Sequence, residues 1–163
     1  MLVKEILMEV ADSAVHDYRQ TSSSSSMFFM AKGTVNGREI AIEAAPDNPK
    51  LGSWIFEFSE KVIRPDGRAT QTTAPTGSGK AFEVFALVMH AMQEFINERS
   101  PNVIEVYAAK DSKKDNANPK DHESTRAVIY SKLLKRKFGN MFEFSTKMSG
   151  SGNSVIVVMT RKK

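Results

Sequence analysis

The run AFEVFALVMHAMQEFINERS, residues 81–100, constrains this chain more than any other stretch. Phe82, Phe85, Val88, Met89, Met92 and Ile96 recur at helical spacing, and Ala86, Leu87 and Ala91 widen the apolar stripe beyond one narrow face. A helix with so wide a stripe is largely buried, so the rest of the chain must supply what covers it. The helix stops at ERSPN, because Pro101 has no N–H to continue the ladder.

The covering layer reads as strands. MFFMAKGTV and REIAIEA flank Asn36-Gly37, and two β-rich runs separated by Asn-Gly are the strongest short-range hairpin signal. SWIFEFSE, residues 53–60, sets Trp54, Phe56 and Phe58 against Ile55, Glu57 and Ser59, the alternation of a half-buried strand. VIEVYAA, residues 103–109, is continuously apolar, as a central strand is. A second helix is expected from about Ser124 to Lys137. MFEFSTK and VIVVMT, joined by the Gly/Ser turn MSGSGNS, form a second expected hairpin. The opening LVKEILMEV is β-capable, and ADSAVHDYRQ is ambiguous between a short helix and loop. This order predicts an α/β sandwich (α+β, mixed sheet) with a mostly antiparallel central sheet and two main helices. We read residues 1–163 as one domain. Thr21 to Ser26 is a Ser-rich connector or exposed bend, and 64–76 and 110–123 are polar loops, the first with a turn at Pro65-Asp66-Gly67.

At 163 residues and 40% hydrophobic content the chain is long enough for one genuine core. It has no apolar run of about 18 residues, so no membrane-spanning helix is expected. Charges at Lys4, Glu5 and Glu9 break the opening apolar stretch, which argues against a secretory signal. The absence of cysteine removes disulfides, thiolate metal sites and Cys nucleophiles, and fits a reducing interior or a particle assembled there. A net charge of +4 permits attraction to an acidic partner without demanding one.

APTGSGKAF, residues 74–82, invites a nucleotide-binding reading. A P-loop needs a buried strand before it and a hydroxyl after its lysine to hold Mg²⁺. Here Lys80 is followed by Ala81, and RATQTT precedes the stretch, so the nucleotide triphosphatase reading fails. Gly77 and Gly79 still allow a close backbone approach, and the helix that begins there presents unpaired N–H groups with a positive dipole end. Such a turn either cradles a pyrophosphate without metal or simply precedes a core helix.

The succession of an antiparallel strand, the TGSGKA turn, a long buried helix, a central apolar strand and a helix carrying STRAVIYSKLLKRKFG resembles the GNAT superfamily of acyl-CoA N-acyltransferases, over roughly Met27 to Thr160. GSGKAFEVF together with STRAVIYSKL also looks like small proteins encoded by tailed bacteriophages. The first resemblance implies that Gly77, Ser78, Gly79, Lys80 and Ala81 face the pyrophosphate of acetyl-CoA, and that the strand after the helix splays from its neighbour. It implies Tyr130 as general acid for the departing thiolate, with Glu57, or Glu60 second, as general base on the acceptor amine. The second implies the cytoplasm of a host cell, or a place in a virion, with a protein partner or a second copy of the chain.

Each of these residues also has a plainer reading. Tyr130 shares helical spacing with Ala127, Leu133 and Leu134, as a core tyrosine does, and Glu57 is the solvent-side member of an alternating strand. His90 reads as a core or boundary histidine, and His16 and His122 have no partners at metal-ligand spacing. Lys132, Lys135 and Arg136 fall within about 100° of helical arc and, with Arg161, Lys162 and Lys163, form either a phosphate-contacting face or a solvated one. Ala74 stands where the family usually has Gln or Arg, the glycine turn sits far from the preceding strand, and the helix closes on Phe-Gly rather than Gly-Phe. These departures favour a non-catalytic structural or interaction protein. An acyl-CoA-dependent N-acetyltransferase and a nucleic-acid-binding accessory protein are the alternatives.

Overall fold

The computed structural model describes residues 17–35, 37–63, 65–72, 81–109, 125–152 and 154–163. Among them are eight strands, two α-helices and one 3-10 turn, and every strand pair with an assigned register is antiparallel but one. The chain divides into two compact units, one of Met1–Ala45 with Glu57–Ser100, the other of Pro46–Phe56 with Pro101–Lys163.

In the first unit β1 (Arg19–Gln20) pairs with β2 (Phe29–Val35), and β2 with β3 (Arg38–Asn48). The β2–β3 pairing closes on Val35 opposite Arg38, so the connection is the two residues of the Asn-Gly signal; Gly37 takes φ +76°, which glycine adopts without strain. Phe29, Ala31, Gly33 and Val35 point inward, as do Ile40, Ile42 and Ala44. They meet α1 (Ala81–Arg99), on which Val84 through Met89 are six consecutive buried side chains. Ring pairs Phe29–Phe95 and Phe58–Phe85, at 5.5 Å and 6.0 Å, tie sheet to helix. The helix ends where Pro101 predicts, with Ser100 at φ 47° and its N–H donating to the Ile96 carbonyl.

β4 (Ser53–Ile63) outruns the expected strand by three residues and turns back at Pro65-Asp66-Gly67 into β5 (Ala69–Thr72), which pairs with it from Glu60↔Thr72 to Ile63↔Ala69. Composition reads 64–76 as loop; the structure places a strand within it. ATQT carries no apolar alternation, and the backbone bonds to β4 make it a strand. Gly67 at φ +80° and the Arg68 N–H donated to Asp66 Oδ1 shape the turn. The Ser-rich segment is a turn whose Ser22 hydroxyl receives the Met30 N–H at 2.8 Å.

In the second unit Ser53–Phe56 of β4 lie parallel to Val103–Val106 of β6 (Val103–Ala109). β6 pairs along its whole length with β8 (Ser154–Arg161), and β8 with β7 (Phe142–Met148). α2 (Thr125–Phe138) lies on β6, β7 and β8 and buries Tyr130, Leu133, Leu134 and Phe138. The stretch 110–123 lies outside the described residues. No helix among the described residues is long and apolar enough to cross a membrane.

Candidate functional site

Gly77, Ser78, Gly79 and Lys80 lie outside the described residues, and Ala81 is the first residue of α1. Tyr130 is 4% exposed, packed where α2 meets its sheet in the second unit. Glu57 belongs to the first unit, on the exposed side of β4. Glu60 shares the inward parity of Phe56 and Phe58 and is 5% exposed. Arg38 satisfies it, donating from Nη1 to Oε1 at 2.8 Å. A buried carboxylate paired in this way to a guanidinium has a structural role, since the pairing offsets the cost of burying its charge.

A polar seam that the sequence reading passed over runs along α1. His90, Glu94 and Glu98 succeed one another four residues apart, on one face. Tyr18 stands edge-on to His90, with centroids 4.6 Å apart at 84°. Its hydroxyl is buried and has no hydrogen-bond partner among the described residues. Burial first, then the charges of Glu94 and Glu98, push the phenol up to about 12. Gln20 Nε2 donates to Glu98 Oε2 at 2.6 Å, and Glu98 lies 3.0 Å from Arg99. Arg99 in turn donates to the carbonyls of Ser26, Ser23 and Phe28, at 2.6, 3.1 and 3.4 Å. The sequence signal for the seam is the i, i+4, i+8 spacing; what hides it is that Tyr18 and Gln20 reach it from β1 and the residue before.

An open pocket of about 370 Å³ in the same unit is lined by Asp17, Arg19, Lys32, Gly33, Thr34 and Glu39. Its two cations and two carboxylates balance, and Lys32 and Glu39 are 3.5 Å apart, so it selects no ligand charge. Among the described residues no group of His, Asp and Glu is placed to hold a metal ion.

The second unit is the basic one. Residues 125–163 hold nine Lys and Arg against a single carboxylate, Glu143, in a chain whose whole excess is +4, so the remainder is net negative. Lys132, Lys135 and Arg136, the three cations read from the sequence, are all exposed on α2, as is Lys137. Lys162, grouped with them in the sequence, has its place fixed by the structure: its backbone N–H donates to Met141 O at 2.9 Å and its Nζ to Gly139 O at 2.8 Å, seating it at the C-terminal end of α2. Lys147 is otherwise engaged, by Glu105, which holds its ammonium above the usual lysine range.

Comparison of the chain with models of protein families, with curated proteins and with solved structures finds no match.

Proposed function

We propose that this chain is a non-catalytic protein on a GNAT-like α/β sandwich, an interaction component of the kind suggested by its resemblance to small proteins of tailed bacteriophages. The observation that carries this reading is β5. The pantetheine arm of coenzyme A is a chain of amides, and such an arm docks on a strand by adding to its edge. Along Glu60–Ile63 of β4 an edge is already taken by Ala69–Thr72. The candidate acid and bases lend support from the same direction. Tyr130 is sunk in core packing, Glu60 is bound by Arg38, and Glu57 stands exposed on β4. These residues do not fit an acyl-transfer centre.

The deciding measurement is titration calorimetry, with thermal melting, against acetyl-CoA at about 1 mM, because a ligand selective for the folded chain must raise its melting temperature. No heat and no shift are expected. Saturable binding overturns the proposal. Light scattering on the purified chain then checks for a second copy or a co-purifying protein, and a strictly monomeric, partnerless chain counts against an interaction role.

One observation favours acyl-CoA N-acyltransferase as a second reading. The pairing of β4 with β6 covers only four residues and ends at Phe56 and Val106, in keeping with the splayed strands that the resemblance implies. Under this reading acetyl-CoA binds, and Tyr130→Phe lowers turnover without lowering stability.

A further inference from the structure

We infer that the C-terminal end of α2 and the Lys162 strand end beside it form a binding surface for the phosphate backbone of duplex nucleic acid. The inference rests on the second unit alone and stands whether or not coenzyme A binds, so the calorimetric test above and the test below fail independently.

Lys132, Lys135, Arg136 and Lys137 are exposed on α2, and the last three form its final turn. Basic residues in a last helical turn ordinarily complement the helix dipole, and that role accounts for part of this cluster. Lys162 joins that cluster from the far end of the hairpin, its ammonium bonded to the Gly139 carbonyl just past the helix end. A neutral carbonyl anchors that ammonium but leaves its charge uncancelled. Lys163 beside it is exposed as well. Arg161 is held in place too, with Nε donating to Pro101 O at 2.9 Å and its guanidinium 5.1 Å from the centre of the Phe142 ring. Lys162 and Arg161 are therefore held in place before any ligand arrives. Glu143, exposed on β7, is the one carboxylate in 125–163 that opposes it.

The chemistry of the surface chooses among polyanions. A protein partner held by a stable interface needs an apolar centre, and Ile129 is the one large apolar side chain exposed on α2. A membrane-surface helix needs a free apolar face, and that face of α2 is spent on β6, β7 and β8. The exposed ring among the described residues, Phe28, belongs to the first unit, so base stacking on single strands has no platform here. What remains is a row of cations with flexible stems, the means of sequence-independent phosphate contact. From Lys132 to Gly139 the helix rises about 10 Å, and one strand of a duplex advances about 3.4 Å per phosphate, so the row meets about three phosphates.

The test is fluorescence anisotropy of a labelled mixed-sequence DNA duplex titrated with the full chain across a range of salt. Binding is expected at low salt, equal for unrelated sequences, with log K falling against log salt at a slope of about −3. Lys135→Glu with Arg136→Glu should lower affinity about tenfold or more and flatten that slope. Lys162→Gln should do the same more weakly. Lys61→Glu, an exposed cation of the first unit, should change it less than twofold. Melting curves of each variant confirm the fold. No binding at low salt, an equal loss for Lys61→Glu, or tighter binding to phosphatidylserine vesicles or polyglutamate than to the duplex overturns the inference.

Discussion

Arg38 on β3 holds Glu60 on β4 through a 2.8 Å bond in which the carboxylate is 5% exposed and the guanidinium nearly half exposed. Glu60 lies on the same side of its strand as Phe56 and Phe58, so the ion pair sits at the margin of the core. The asymmetry in exposure sets what each substitution does. Arg38→Ala leaves a carboxylate in an apolar setting and should cost about 3 kcal/mol in urea unfolding. Arg38→Met with Glu60→Leu removes both charges and should recover most of that loss. A double variant as unstable as Arg38→Ala alone would show that the pairing is not what matters there.

Tyr18 makes stability depend on alkaline pH. Its phenol ionises near 10 when unfolded and is pushed up to about 12 in the fold. The folded state therefore keeps a proton that the unfolded state has released, and stability falls as pH rises through that window. Below pH 10 the contribution is fully present. Tyr18→Phe should abolish this part of the alkaline loss. Because the hydroxyl has no partner among the described residues, the same change should leave stability at pH 7 unaltered or slightly raised. Melting temperatures of the two proteins at pH 7, 9, 10 and 11 supply the comparison, and parallel curves would contradict it.

Arg99 staples the Ser-rich turn to the end of α1 through the carbonyls of Ser26, Ser23 and Phe28. Arg99→Met keeps the stem and removes the donors. Amide exchange should then quicken about tenfold across residues 21–28, corresponding to about 1–2 kcal/mol of lost local stability. Exchange in the middle of α1 should stay as it was. Uniform acceleration throughout the unit would mean that Arg99 supports the whole fold rather than the turn.

Gly33 of β2 packs directly against Leu87 of α1. A Cβ there would stand 2.7 Å from both terminal methyls of Leu87. Gly33→Ala should therefore cost about 1–3 kcal/mol, since the displaced atoms are the end of a buried side chain that must shift within a filled core. Adding Leu87→Val should relieve part of the clash, giving a favourable coupling in a double-mutant cycle. Strict additivity would place the strain elsewhere.

What the sequence determined by itself is whatever depends on neighbours along the chain. Asn36-Gly37 placed the first hairpin, VIEVYAA matched β6 residue for residue, and the apolar periodicity with Pro101 located α1 and its end. Period and turn chemistry are local, so they survive in the linear text. Tertiary structure decided everything that joins residues far apart in the chain. ATQT became a strand because β4 offered it backbone partners. Glu60, the second candidate base, became a neutralised anion because Arg38 reached it across 22 residues. Tyr18 found His90, and the Lys162 ammonium found the Gly139 carbonyl, through contacts that leave no periodic trace. Hydrogen bonds and ion pairs between distant positions are fixed only when the sheet brings them within about 3 Å, and the polar chemistry of this protein is of that kind.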